Sequence, residues 1–223
     1  MGDLMIQRYI ALIPAYNPSP VLGSLVRDLC NAGFYIVVVD DGSSDSCSNI
    51  FDDCTTRATV LHHPRNAGKG QALKTGLSYI QNNFATDSVV VTVDANGQHT
   101  IPDAITICEM AQRHSRALVL GCRCVDKDVQ LRSRFRSKLT GFMFHRCTGL
   151  KIRDPQSGLR AFSVRHIPLL SSVEGSRYDY EINVLLHFAR SKIRILEYPL
   201  KSVYTDNPNA SHFRAIKTAL RKT

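Results

Sequence analysis

Val89-Val90-Val91-Thr92-Val93-Asp94-Ala95-Asn96-Gly97-Gln98-His99 is the stretch on which the fold turns. Five β-branched residues end abruptly in an acid, and an amide, a glycine, a second amide and a histidine soon follow. So short an apolar run reads as a strand buried on both faces, as in a parallel sheet. Asp94 then stands at the strand's carboxyl end, the edge where open α/β sheets bind ligands. Asp94, Asn96 and Gln98 alternate, so a chain that stays extended points three oxygen-bearing side chains the same way. Hard oxygen ligands in a row suit Mg²⁺ or Mn²⁺, and through the metal a diphosphate. A polar turn after a core strand is the competing reading of the same residues.

The chain on either side repeats the pattern. Residues 6–13 read as a first strand stopped by Pro14, with a turn-rich loop at residues 15–20. Ser19 is a good N-cap and Pro20 a good first helical residue. Val21, Leu22, Leu25, Val26 and Leu29 then form a helical stripe ending near Gly33. Residues 34–39 are a second buried strand that also ends in acids, Asp40-Asp41, with a helix toward Cys54. A short strand at 59–61, a polar loop at 62–70 and a helix at 71–82 lead into the opening stretch. Alternating strands and helices predict a parallel sheet covered on both faces.

Beyond it, Pro102 starts a helix and residues 117–120 form a strand. The remainder is less regular. Residues 131–146 interleave Leu131, Phe135, Leu139, Phe142 and Met143 with Arg132, Arg134, Arg136 and Lys138, a basic amphipathic stretch. Asp154-Pro155-Gln156-Ser157-Gly158 is a turn, residues 178–189 a helix carrying Glu181, 193–196 a strand, and 211–221 a short basic helix. No repeat or linker divides the chain, so one domain over residues 1–223 is expected, with two functional halves, 1–110 and 111–223.

Charge divides along the same line. The 223 residues carry a net +9, but residues 1–110 hold 6 basic and 11 acidic side chains, and residues 111–223 hold 22 and 8. The acidic half can hold a cation and the basic half an anion or an anionic surface. No zinc-finger or RNA-recognition signature accompanies the basic charge, so nucleic acid is not the expected partner. There is no run of about 18 apolar residues and no signal-peptide pattern at the N-terminus. The seven cysteines are odd in number and lack metal-binding spacing, which suggests free thiols in a reducing cytoplasm.

Gly68-Lys69-Gly70 lacks the Ser or Thr that a phosphate loop places after its lysine. A basic, glycine-rich loop opening a helix can still approach a nucleotide sugar. Tyr16-Asn17, Asp40-Asp41 and Asp94 are three polar strand ends on one sheet edge, which together make a crevice.

Ile13-Pro14-Ala15-Tyr16-Asn17, Val39-Asp40-Asp41-Gly42-Ser43-Ser44-Asp45, Asn66-Ala67-Gly68-Lys69-Gly70, Asp94-Ala95-Asn96-Gly97-Gln98-His99 and Asp154-Pro155-Gln156-Ser157-Gly158-Leu159-Arg160 stand in the order seen in family 2 glycosyltransferases. Over about residues 6–214 the chain most resembles the polyprenyl-phosphate branch, which includes dolichol-phosphate mannosyltransferase and undecaprenyl-phosphate sugar transferases. The resemblance implies an α/β GT-A fold, with a mostly parallel central sheet and helices on both faces. It also implies a nucleotide-sugar donor of the GDP-mannose or UDP-glucose type, a Mg²⁺ or Mn²⁺ ion, and inverting transfer of a hexose to a polyprenyl phosphate.

By position, Pro14, Tyr16, Asn17, Asp40, Asp41, Lys69, Ala95 and Asn96 would hold the nucleotide sugar. Asp94, Asn96 and Gln98 match the metal-diphosphate motif. Arg123 matches the arginine of the family's Gly-Ser-Arg segment. Arg132, Arg134 and Ser137 fall in the acceptor-phosphate region, and His212 stands where a basic residue nears the donor phosphates. The family commonly has Glu where this chain has Pro18, and Asp-Ala-Asp where it has Asp94-Ala95-Asn96. An amide oxygen can ligate a hard cation but lacks the charge.

The expected reaction is an in-line displacement, with Asp94, Arg123 and His212 as its catalytic residues. The expected location is cytoplasmic, peripheral on the inner membrane face, with the stretches at 131–146 and 211–221 against anionic headgroups. Packing of both stretches as ordinary core helices is the alternative. Relatives often carry transmembrane helices beyond this point, so the expectation is either a separate integral-membrane partner or a longer chain with such helices after residue 223. Two other functions fit the residues: a transferase acting on a sugar hydroxyl, which needs a general base such as Asp154 or Glu181, and a non-catalytic nucleotide- or lipid-phosphate-binding module.

Overall fold

The β-branched runs become the strands of one sheet. The computed structural model describes residues 8–123, 144–146 and 148–200. Its strands are β1 (Tyr9–Ala15), β2 (Tyr35–Asp40), β3 (Thr59–His62), β4 (Val89–Thr92), β5 (Ala117–Arg123), β6 (Arg160–Ser163) and β7 (Arg194–Leu200). Its helices are α1 (Val21–Asn31), α2 (Ser48–Thr55), α3 (Lys69–Asn83), α4 (Ile101–Arg113), α5 (Ile167–Ser171) and α6 (Asp179–Arg190).

Strand order is β3-β2-β1-β4-β6-β5-β7. β6 runs antiparallel to both neighbours, and the other pairs are parallel. Successive side chains of a strand face opposite ways, and both faces are dry. Ile10, Leu12, Val37, Val39, Val90 and Leu118 pack with α3, α5 and α6. Ala11, Ile13, Ile36, Val38, Val91 and Val119 pack with α1, α2 and α4.

Three expectations about the backbone are corrected. Pro14 does not stop β1, which continues to Ala15 in register with Asp40. Leu12 accepts a hydrogen bond from the Val93 amide and Ala15 from the Asp41 amide, so Pro14 faces the β4 side. β4 has already ended at Thr92, so the amide hydrogen that proline lacks has no ladder partner to lose.

Second, residues 94–98 are not extended. The chain turns at 95–97, with Gly97 at φ +71°, and Asn96 Oδ1 accepts from the Gln98 amide at 3.1 Å. Asp94, Asn96 and Gln98 are therefore not three side chains in a row, because an Asx turn is available to Asn96 and a glycine permits it. Thr100 then caps α4, its Oγ1 accepting from the Asp103 amide and donating to the Asp103 carboxylate.

Third, the short antiparallel β6 and the helix α5 stand where the sequence suggested no regular element. Val90 pairs with Phe162 and Thr92 with Arg160, so the 154–158 turn is delivered onto the tip of β4. The basic segment at 211–221, and all of 131–146 except residues 144–146, lie outside the described residues. Within 144–146, Phe144 is buried in the core on the α3 and α6 face.

Candidate active site

The carboxyl ends of β1, β2 and β4 lie side by side, so Pro14, Tyr16, Asn17, Asp40, Asp41 and Asp94 share one edge. Tyr16 is exposed and Pro14 half-buried. Asn17 holds a left-handed conformation (φ +46°) and stitches two loops together. Its amide donates to Ser43 Oγ, and its Oδ1 accepts from the Ser44 amide, both at 2.9 Å.

The two acids that end β2 do different work. Asp40 accepts from the Ser43 amide at 2.9 Å and stands 3.0 Å from His62 Nδ1. Burial pushes its carboxyl up, but the Ser43 and His62 hydrogen bonds outweigh it and leave it below the ordinary range. Asp41 is 2% exposed and turns inward. It accepts from the Ala67 amide at 2.9 Å and the Gly68 amide at 2.8 Å, with His63 Nδ1 at 2.8 Å. Thr75 Oγ1 stands 2.9 Å from the other nitrogen of that imidazole. Asp41 thus fixes the loop that presents Lys69.

Lys69 opens α3 and reaches across the sheet edge. Its Nζ donates to Asp94 Oδ1 at 2.8 Å and to Glu181 Oε1 at 3.0 Å, and stands 5.9 Å from the centre of the Tyr178 ring. Burial lowers the ammonium's affinity for its proton, but the two carboxylates more than restore it, so Lys69 stays charged. Burial likewise pushes Asp94 up, and Lys69 and His99 outweigh it, holding the carboxyl well below the ordinary range. His99 Nε2 lies 3.4 Å from Asp94 Oδ2.

Beneath this cluster lies Arg160, 4% exposed. Its guanidinium donates to the carbonyls of Ser157 (2.8 Å), Glu181 (2.6 Å) and Pro155 (3.1 Å). Burial lowers its pKa, partly offset by Glu181, Asp94 and Asp154. A buried guanidinium is tolerable only when it is hydrogen-bonded, and here each of its three nitrogens donates to a carbonyl. The same turn carries Gly158, whose carbonyl accepts from Thr92 Oγ1 at 2.7 Å. A Cβ on Gly158 would run into the Asp94 carboxylate, so only glycine lets the turn lie against it.

The structure therefore gathers Pro14, Tyr16, Asn17, Asp40, Asp41, Lys69, Asp94, Ala95, Asn96 and Gln98 around one edge. Asn96 is exposed, and Ala95 and Gln98 are half-buried. Arg123 ends β5, with its side chain outside the described residues. Arg132, Arg134, Ser137 and His212 also lie outside them. Sequence reasoning passed over Arg160 and Gly158, although both stand in a quoted motif. It named Glu181 only as a candidate general base for a sugar-hydroxyl acceptor and gave Tyr178 and His99 no role. The acid in the first turn of α6 was the available signal, but nothing in the sequence aims it at Lys69.

As for metal, no group of three or more His, Cys, Asp or Glu side chains placed to hold an ion occurs among the described residues. What is present is one ionised carboxylate, Asp94, with the amide oxygens of Asn96 and Gln98 nearby in sequence. Such a set fits Mg²⁺ or Mn²⁺, which bind through one or two carboxylates and complete their shell with substrate phosphates and water.

Known proteins share this architecture. Among solved structures, the chain is similar to glucosyl-3-phosphoglycerate synthase from Mycobacterium tuberculosis in complex with Mn²⁺, UDP and phosphoglyceric acid. The TM-score is 0.66 at 20% identity, covering 91% of this chain and 72% of that one. The fold is accordingly GT-A. In sequence it is 29% identical to a UDP-N-acetylglucosamine–dolichyl-phosphate N-acetylglucosaminyltransferase of Methanococcus voltae, over 92% of this chain and 88% of the relative. It is 26% identical to a polyprenol monophosphomannose synthase of Mycolicibacterium smegmatis, over 87% and 77%. Residues 10–167 match the sequence model of glycosyl transferase family 2, and with that share of its length the chain belongs to this glycosyltransferase family.

Proposed function

We propose that this chain moves a hexose from a nucleotide sugar, of the GDP-mannose or UDP-glucose type, to the phosphate of a polyprenyl phosphate, with inversion at the anomeric carbon. The observation that carries the reading is the Lys69 ammonium shared between Asp94 and Glu181. Both acids are committed to a cation, which makes each a poor general base. A sugar hydroxyl needs such a base. A phosphate, with a second pKa of about 6, is already largely ionised near neutral pH and does not. The relatives named for dolichyl phosphate and polyprenol support the same acceptor class.

In this reading Pro14, Tyr16, Asn17 and Asp40 face the nucleoside, while Asp41 holds the Lys69 loop in place. Asp94 would hold the metal, with the amide oxygens of Asn96 and Gln98 as further candidate ligands and Ala95 against the nucleotide sugar. A bound Mg²⁺ or Mn²⁺ supplies Lewis-acid stabilisation of the leaving diphosphate. Lys69, already charged and at the same edge, bears on the same developing negative charge. Arg160 keeps the floor rigid by tying the 155–158 turn to α6. The acceptor phosphate is assigned to Arg123, Arg132, Arg134 and Ser137, and the departing diphosphate to His212, on the sequence resemblance alone. Guanidinium groups match phosphate geometry. The basic second half lies on the inner face of the membrane as a peripheral protein, with an integral-membrane protein as its companion.

The test mixes purified protein, Mn²⁺, a panel of labelled nucleotide sugars and polyprenyl phosphate. Label is expected in the lipid fraction, and Asp94→Ala is expected to abolish it. Lipid label that survives Asp94→Ala overturns the site assignment. Label transferred only to a sugar hydroxyl overturns the acceptor.

A further inference from the structure

We infer that Lys69 is a built-in counter-cation for Asp94 that the donor diphosphate draws away, so that metal and nucleotide enter this site as a coupled pair. The inference rests on the reading of Asp94 as the metal's carboxylate. Lys69 Nζ is 2.8 Å from Asp94 Oδ1, and the other oxygen of that carboxylate faces His99 Nε2 at 3.4 Å. A divalent cation arriving alone therefore meets a carboxylate already paired with a full positive charge, the Lys69 ammonium. It must displace that charge or bind beside it, and both oppose binding.

The lysine is built to move without its backbone. The amide of Gly68 is held by Asp41, and that of Gln71 by the Ser176 carbonyl at 2.9 Å, so the start of α3 is anchored on both sides of Lys69. The side chain itself is a flexible four-carbon stem with a freely rotating ammonium. A second acid, Glu181, waits at 3.0 Å, so leaving Asp94 does not strand a buried charge. Arg160 cannot take over the vacated place, because three backbone carbonyls hold its guanidinium. What pulls Lys69 away is an anion on the open side. The diphosphate of a nucleotide supplies acceptor oxygens for the ammonium at the moment its charge calls for the metal. Asp94 is then free for the ion. By linkage, the nucleotide binds more tightly with metal by the same factor as the metal does with nucleotide.

The test is a Mn²⁺ titration of the full chain, read from the paramagnetic resonance signal of free Mn²⁺, without nucleotide and with saturating UDP or GDP. For the wild type, nucleotide is expected to tighten Mn²⁺ binding on the order of tenfold. Lys69→Met is expected to bind Mn²⁺ alone on the order of tenfold more tightly than the wild type, and nucleotide should then tighten binding by a smaller factor than it does in the wild type, since only the direct phosphate–metal contribution remains. Lys69→Arg keeps the charge and should keep weak metal-only binding. Glu181→Gln leaves Lys69 with Asp94 as its one acid and should weaken metal-only binding further, which reads out the idea should Lys69→Met fail to fold. A Lys69→Met protein that binds Mn²⁺ no better than the wild type overturns the inference. So does a Glu181→Gln protein that binds it better, or a chain that takes up no Mn²⁺ in any form. The titration contains neither sugar nor acceptor, so failed transfer to lipid phosphate leaves it standing.

Discussion

Asp40 and Asp41 are adjacent and identical, yet the fold gives them separate tasks. Asp40 stays at the crevice rim, whereas Asp41 accepts two backbone amides of the loop before α3. Replacing Asp41 with Asn puts an amide hydrogen where at least one backbone donor now finds oxygen. A buried donor left unmatched costs about 1–3 kcal/mol. Urea unfolding of Asp41→Asn is expected to show a loss of that size. Donor affinity, measured by calorimetry with UDP or GDP, should fall as well, because the same loop carries Lys69. Unchanged stability would mean that Asp41 does not hold the loop. Sequence spacing placed both acids at the strand end correctly, but which one faces inward depends on a loop some 25 residues later in the chain, and no local pattern encodes that.

At the scale of elements, β6 is what makes the site. Arg160-Ala161-Phe162-Ser163 has no β-branched residue and begins with a charge, so it did not read as a buried strand. It becomes one because Arg160 is satisfied by carbonyls from the preceding turn and from α6. The turn before it is anchored from β7, where Glu197 Oε1 accepts from the Arg153 amide at 2.5 Å and from Cys122 Sγ at 3.1 Å. Burial, and then Glu197 itself, push the Cys122 thiol up, so that it stays a protonated donor. Glu197→Ala removes the shared acceptor. It should destabilise the protein by about 1–3 kcal/mol in chemical unfolding and speed amide exchange at Arg153 and Asp154. Exchange as slow as in the wild type would place the turn's anchor elsewhere. The path of β1 through Pro14 was illegible for a related reason, because whether a proline breaks a strand depends on whether a neighbour needed its amide.

At the scale of the whole molecule, charge and chemistry are separated. The acidic half supplies the strand ends, and the basic half carries the segments assigned to the acceptor. No helix among the described residues is long and apolar enough to cross a membrane. In the proposed peripheral reading, attachment by the basic second half is electrostatic and screened by salt, since the Debye length shrinks from about 10 Å at 0.1 M to about 3 Å at 1 M. The protein should float with anionic vesicles at low salt and leave them at high salt, while neutral vesicles should not hold it. Equal flotation with neutral vesicles would overturn the electrostatic attachment.

Hydrophobic period, strand-end acids and motif order are properties of neighbouring residues, and they alone determined the α/β class, the sheet edge and the family. The tertiary structure decided what those residues do. Asp94 meets Gly158 only because β6 folds back antiparallel, and Lys69 meets Glu181 only because α6 packs beside α3. Those pairs are 64 and 112 residues apart in the chain. An ion pair of that kind follows from packing two halves of the chain together, which no local pattern records.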